Sequence, residues 1–167
     1  EIVGGLLLSK KDVPGVSGER VALLQSRILR GSGDPEGALQ VLASVPADSP
    51  ISEDLFLEKG ADLIALGQTE ECLKLLQTSS FTSDEGKAAA AYLKALATWR
   101  AGNITDARKL FAAVPPATPW SASASTLGTA ICFGSAKKEA QAIALLEKHL
   151  EGVDEAPLLA DQFLLLE

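Results

Sequence analysis

Small side chains recur along this sequence at a nearly constant interval. Four of them, each with an apolar pair three and four residues later, are spaced 34, 35 and 35 residues apart: Ala38, Cys72, Ala107 and Ala142. Twelve residues before each lies another small residue, in the order Ser26, Gly60, Ala95 and Ala130. A repeat of this length is one supersecondary unit that cannot bury its apolar face alone. The chain is therefore expected to fold as a row of similar units.

Within each unit the apolar residues follow a helical spacing, as at Leu55, Phe56 and Ile64 before one turn and Leu73 and Leu76 after it. Alanine and leucine supply 26 and 27 of the 167 residues, and both favour helix over strand. Each unit therefore reads as two helices joined by a turn. We predict an all-α fold with helices over 18–30, 35–45, 53–65, 70–78, 85–100, 104–113, 119–133 and 136–150.

The residues between the helices agree with this division. Asp34 followed by Pro35 is typical of a helix start, because aspartate caps free N–H groups and proline suits the first helical position. Glycine occupies the same point of the turn in three units, at Gly33, Gly67 and Gly102. The fourth unit has Lys137 at that point. Its turn is therefore expected to depart most from the others.

The two-helix unit, the period near 34 and the order of glycine, acid and alanine at the turn resemble the tetratricopeptide repeat. The resemblance implies an α-solenoid, in which stacked helix-turn-helix hairpins form a right-handed superhelix. It implies one repeat domain over 1–167. The full repeats would cover about 18–51, 52–83, 84–118 and 119–152, with partial units at 1–17 and 153–167.

In this repeat class the first helix of each unit lines a concave groove, so the resemblance also implies a binding surface. Helical phase directs eleven side chains toward that groove: Arg20, Leu23, Arg27, Arg30, Leu57, Ile64, Tyr92, Leu96, Trp99, Leu127 and Ile131. Tryptophan, tyrosine and arginine are the residues that most often anchor interfaces. The arginines predict a cationic end and the remaining residues an apolar centre. The alternative interpretation is that these side chains only pack successive first helices together.

Signals for other ligands or for chemistry are few. The net charge of −7 argues against nucleic acid, and no apolar run approaches the roughly 18 residues of a membrane span. Cys72 and Cys132 lack metal-ligand spacing and cannot form a disulfide framework. They fit a reducing, cytoplasmic setting, with export left open. His149 is interpreted as a surface helix residue rather than a general base. We expect no catalytic, cofactor or metal site.

These features favour a non-catalytic scaffold or adaptor that binds a protein partner, either an amphipathic helix or an apolar peptide, in the groove. Chaperone adaptors of this family hold a terminal carboxylate with lysine and asparagine. The corresponding positions here are Leu23, Arg27, Glu58, Ala89 and Leu93. That clamp is missing, which argues against a chaperone tail as the ligand.

Two other functions stay open at this point. The chain could be a structural subunit of a multiprotein assembly that docks through its ends or its convex face. It could also be a regulatory region of a larger enzyme or secretion component. Apolar side chains near one end, at Leu158, Leu159 and 163–166, predict self-association of the isolated chain.

Overall fold

The computed structural model describes residues 17–46 and 49–151, and every regular element in these ranges is an α-helix. The helices are α1 (Gly18–Gly31), α2 (Pro35–Ala43), α3 (Ser52–Ala65), α4 (Thr69–Thr78), α5 (Asp84–Arg100), α6 (Ile104–Ala112), α7 (Pro119–Ser135) and α8 (Glu139–Leu150). The predicted all-α class is confirmed. Seven of these helices begin within one residue of their predicted starts.

The chain divides into two compact units, residues 1–80 and 81–167. The first contains α1–α4 and the second α5–α8, so that each holds two helical hairpins. The single repeat domain over 1–167 stays a prediction. The partial units predicted at the two ends lie outside the described residues, apart from Ser17, whose side chain caps α1.

All four hairpins turn in the same way. One residue in each turn has a positive φ, in the order Gly33 (+84°), Gly67 (+74°), Gly102 (+85°) and Lys137 (+57°). Its backbone N–H donates to the carbonyl three residues back, and the next N–H donates to the carbonyl five residues back. These two bonds form the Schellman motif, which satisfies carbonyls at a helix C-terminus. The four turns therefore share one hydrogen-bond pattern, which recurs with the period of the sequence.

The fourth turn keeps this geometry without a glycine. Lys137 adopts the left-handed conformation, which costs an L-residue about 1–2 kcal/mol. Its departure from the other turns is one of residue type, because its hydrogen bonds match theirs. Lys137 completes the turn and Lys138 is the N-cap, so α8 begins at Glu139. The predicted helix start at 136 is wrong for this reason.

In the first unit, α3 packs against both helices of the preceding hairpin. Leu42 of α2 and Leu55 of α3 are completely buried, and Leu23 of α1 belongs to the same apolar cluster. Two of the small residues that mark the period, Ser26 and Ala38, also have no exposed surface. Their size allows the paired helices to approach closely while the leucines interlock around them.

In the second unit, α7 packs in the same way against α5 and α6. The ring centroid of Tyr92 in α5 lies 5.5 Å from that of Phe111 in α6 and 5.6 Å from that of Trp120 in α7. Gly128 of α7 lies against Phe111 so closely that a β-carbon there would overlap the Phe111 ring. Aromatic rings thus fill, in the second unit, the space that leucines fill in the first.

Candidate interaction surface

The first helices of consecutive hairpins, α1 with α3 and α5 with α7, lie side by side within their units. These helices carry every residue that the sequence predicts for partner binding. The two contacts occupy equivalent positions in the repeat, because each joins the first helix of one hairpin to the first helix of the next. Their chemistry differs, and the difference decides which of the predicted residues remain accessible.

The contact between α1 and α3 is a cluster of ion pairs. The Arg30 guanidinium bridges two carboxylates, donating to Oδ1 of Asp62 at 2.6 Å and to Oε2 of Glu58 at 2.9 Å. Arg27 donates from Nε to the other oxygen of Glu58 at 2.5 Å. The Ser26 hydroxyl donates to Oδ2 of Asp62 at 3.1 Å. Two cations and two carboxylates therefore balance one another.

Asp62 is the buried centre of this cluster, with none of its surface exposed. Burial raises the pKa of its carboxyl, although the hydrogen bond and charge of Arg30 and the hydroxyl of Ser26 act in the opposite direction. Burial also lowers the pKa of Arg30, but the charges of Glu58 and Asp62 outweigh it and leave that pKa raised. Arg30 is therefore a cation whose charge is paired with Glu58 and Asp62 inside the unit.

This pairing neutralises two of the three arginines of the predicted cationic end, Arg27 and Arg30. The side chain of Arg30 is 21% exposed and that of Arg27 is 53% exposed, and both charges are compensated by α3. Arg20 is exposed at the start of α1. Leu23 and Ile64 are buried, as the helix-packing alternative holds, whereas Leu57 is half-buried.

The contact between α5 and α7 is apolar where the first is charged. In repeat register, Ala95, Leu96 and Trp99 replace Ser26, Arg27 and Arg30, while Gly128 and Cys132 replace Glu58 and Asp62. Trp99 is half-buried, and its indole N–H donates to the Ser135 hydroxyl at 3.0 Å. The guanidinium carbon of Arg100 lies 5.4 Å from the Trp99 ring centroid.

Ser135 lies at one end of a stripe on α7. Leu127, Ile131 and Ser135 follow one another at intervals of four residues, so their side chains share a face of that helix. Leu127 and Ile131 are both half-buried. We call Trp99, Leu127, Ile131 and Ser135 the Trp99 patch. Three of the four large apolar groove residues that keep accessible surface lie in this patch, and the fourth is Leu57 of the first unit.

Tyr92 and Leu96 do not belong to this accessible part. Tyr92 is 5% exposed and Leu96 is 8% exposed. Tyr92 and Trp99 are seven residues apart on α5, about two helical turns, and both contact α7, at Trp120 and Ser135 respectively. That face of α5 is covered by α7 along most of its length, and only its end at Trp99 stays half-open.

Sequence reasoning missed the carboxylates that neutralise the arginines. Glu58 and Asp62 are four residues apart on α3 and about one period downstream of Arg27 and Arg30. This register was a usable signal, because side chains one period apart on consecutive first helices are neighbours. Trp120 was also missed, and so was Leu24, an apolar residue of α1 that is 41% exposed. Leu24 adjoins a core leucine, and only the packing separates the two.

Three side chains that could take part in chemistry, those of Cys72, Cys132 and His149, are held in packed surroundings. Cys72 and Cys132 are buried, which raises the pKa of both thiols, that of Cys72 to about 11. Both are therefore protonated near neutral pH, and a thiol is a poor nucleophile. His149 contacts more than solvent: its Nε2 lies 3.1 Å from the Ser123 hydroxyl. His149 is therefore half-buried on α8 rather than fully exposed.

Comparison with protein-family models, curated proteins and solved structures finds no match to this chain. Within 17–46 and 49–151, no helix is both long enough and apolar enough to cross a bilayer. The same ranges bring no three His, Cys, Asp or Glu side chains together in a metal-binding group. The geometry of the two first-helix contacts is therefore the observation on which a function has to be based.

Proposed function

We propose that this chain is a non-catalytic repeat scaffold of the tetratricopeptide type, which binds an amphipathic helix or an apolar peptide on its first helices. The proposal includes the stacking of the hairpins as an α-solenoid. It is supported by the common packing inside each unit, where the first helix of one hairpin contacts both helices of the hairpin before it. The four identical turns and the period of 34 to 35 residues support it further.

The observation that carries the proposal is the half-open indole of Trp99. Its N–H donates to Ser135, which orients the ring, and part of the residue stays accessible. A fixed aromatic ring loses little conformational freedom when a partner covers it, which favours binding. Leu127 and Ile131 continue the apolar surface along α7. A partner that buries this patch would need an apolar stripe about two helical turns long.

A second candidate function, docking as a subunit of an assembly, is favoured by α8. That helix has no buried residue, and Ile143 and Leu150 are 54% and 52% exposed. Ala142 and Leu146 are half-buried, whereas their counterparts one repeat earlier, Ala107 and Phe111, are covered by α7. A larger neighbour could occupy the equivalent position on α8.

The two candidates are separated by a selection of displayed 16-residue peptides on the intact chain, followed by titration of two variants. We expect Trp99→Ala to weaken binding of the selected helical peptides about thirtyfold, which corresponds to about 2 kcal/mol. Leu150→Ala, a truncation of another accessible apolar side chain in the same unit, should leave the affinity unchanged. Loss of affinity in Leu150→Ala alone, with intact helicity in both variants, would move the interface to α8.

A further inference from the structure

The two units carry opposite charges at the ends where their hairpins turn. Around the turns of the first unit the charged residues are mainly acidic, at Asp34, Glu36, Glu70 and Glu71. Around the turns of the second unit the exposed residues Arg100, Arg108, Lys137 and Lys138 are basic. We call these four residues the basic turn end. The whole chain carries a net charge of −7, so this concentration of cations is a local exception.

The basic turn end and the Trp99 patch both contact the end of α5 or the last turn of α7, and Arg100 is the member that touches the patch directly. Arg100 lies over the Trp99 ring, and the guanidinium carbon of Arg108 lies 5.2 Å from the ring centroid of half-buried Phe133. The N–H of Lys138 donates to the Phe133 carbonyl at 2.9 Å, and Lys137 precedes it in the turn. The last turn of α7 therefore lies next to both the patch and the cations.

Within the ranges that the structure describes, the nearby carboxylates leave most of this charge uncompensated. Asp106 of α6 is paired with Lys109 at 3.1 Å, and Glu139 follows Lys138 at the start of α8. A helix C-terminus attracts cations through its dipole, which accounts for Arg100 at the end of α5. It does not account for Arg108 in the middle of α6 or for Lys138 at the N-cap of α8.

We propose that the basic turn end binds an acidic segment that flanks the apolar stripe of the partner. This inference rests on the proposed function and specifies the chemistry of the ligand. A guanidinium stacked on an aromatic ring still presents N–H donors at its edge, and a carboxylate can accept two of them at once. Arg100 and Arg108 each lie over an aromatic ring. The partner is thus an amphipathic helix with aspartate or glutamate beside its apolar face.

The test uses two fluorescein-labelled peptides, the tightest helical peptide selected on the intact chain and a twin whose flanking acids are replaced by lysine. We expect the acidic peptide to bind about tenfold more tightly at low salt. The difference should shrink as ionic strength rises, since exposed charges are screened beyond about 10 Å at 0.1 M salt. Equal affinity of the two twins would overturn the proposal.

The variants are Arg108→Glu/Lys138→Glu and, as a control, the single reversal Lys148→Glu. The first should weaken the acidic peptide about tenfold at low salt and leave the lysine twin unweakened. The second makes the same kind of charge reversal about 15 Å further along α8 and should change neither affinity. Because Lys148→Glu reverses one charge and the double variant two, a loss of about threefold in Lys148→Glu would mean general charge attraction and would also overturn the proposal. Circular dichroism checks that every variant keeps its helicity.

The same titrations distinguish this inference from the proposed function. If Trp99→Ala weakens both peptides and the double charge reversal weakens neither, the scaffold proposal stands and the acidic partner is wrong. If the double reversal weakens the acidic peptide and Trp99→Ala does not, the acidic site stands and the Trp99 patch is not the anchor. Concentration-dependent self-association that the double reversal abolishes, without any peptide binding, would replace the peptide by a second copy of the chain.

Discussion

The contact between α1 and α3 and the contact between α5 and α7 occupy equivalent positions in the repeat. The first is made of ion pairs, whereas the second is mainly apolar. In the first, Arg30 reaches across to Glu58 and Asp62 and closes a neutral cluster. In the second, the register positions of those carboxylates hold Gly128 and Cys132, and Trp99 stands in the position of Arg30. The repeat therefore fixes the geometry of neighbouring helices without fixing the chemistry between them.

This difference has a functional consequence. In the contact between α1 and α3 the arginines and carboxylates already pair with each other, so they offer little to a partner. A partner would have to break these ion pairs, and an unpaired buried charge is costly. The apolar contact leaves part of an indole and two aliphatic side chains accessible. The first unit therefore has the more self-contained contact, and the second has the surface that remains available for binding.

The largest expected effect is in the charged contact. Arg30→Met would leave the Asp62 carboxylate buried without its cation, and breaking such a pair typically costs about 3–5 kcal/mol of unfolding free energy. Arg30→Met/Asp62→Leu should recover most of that loss, since the replaced groups are then apolar on both sides. Urea unfolding of both variants measures this. A loss in the double variant as large as in the single one would show that the cluster is not the source of the stability.

The pH dependence of Arg30→Met sharpens the same comparison. Burial already raises the pKa of Asp62, and loss of Arg30 removes an opposing influence, so the raised value should rise further. A carboxyl whose folded pKa exceeds its unfolded value stabilises the fold at low pH, and that contribution is lost as pH rises through the folded value. The deficit relative to the natural chain should therefore be smaller at about pH 4 than at about pH 7.

A smaller effect is expected in the apolar contact. Gly128→Ala adds a β-carbon that overlaps the Phe111 ring, and overpacking of this kind costs about 1–3 kcal/mol. Gly134→Ala is the matched control on the same helix, because a β-carbon there meets nothing within 4 Å. Alanine is the better helix former, so the control should be neutral or stabilising by up to about 1 kcal/mol. Equal destabilisation by both substitutions would contradict the packing of α7 on Phe111.

The smallest effect is expected at the turn that distinguishes the second unit. Both turns of the first unit have glycine at the positive-φ position, whereas the second unit has Gly102 and Lys137. Lys137→Gly removes the strain of the left-handed lysine and should stabilise the chain by about 0.5–1 kcal/mol, after allowance for the greater freedom of the unfolded glycine. Thermal melts would measure the change, and a lower melting temperature would indicate that the Lys137 side chain contributes more than its backbone costs.

The sequence by itself determined the helices, the turns and the pairing of helices into hairpins. These features depend on interactions between residues that are close along the chain. The positive φ at Gly33 and the Schellman bonds around it require only the local order of residues, and the same order returns at Gly67 and Gly102. The turn at Lys137 has no glycine at the positive-φ position, yet it forms the same two hydrogen bonds. The small residues Ala38 and Ala107 likewise indicated where the two helices of a hairpin pack, since those helices are neighbours along the chain.

Tertiary structure alone decided which predicted groove residues stay accessible. Helical phase shows that Tyr92 and Trp99 share a face, but a face that carries apolar residues looks the same in sequence whether a neighbouring helix or a partner covers it. Trp120 and Phe111 bury Tyr92, while Trp99 stays half-open beside Ser135. The packing of α3 on α1 likewise decides that Arg30 pairs within the unit, because it brings Glu58 and Asp62 within reach of the guanidinium.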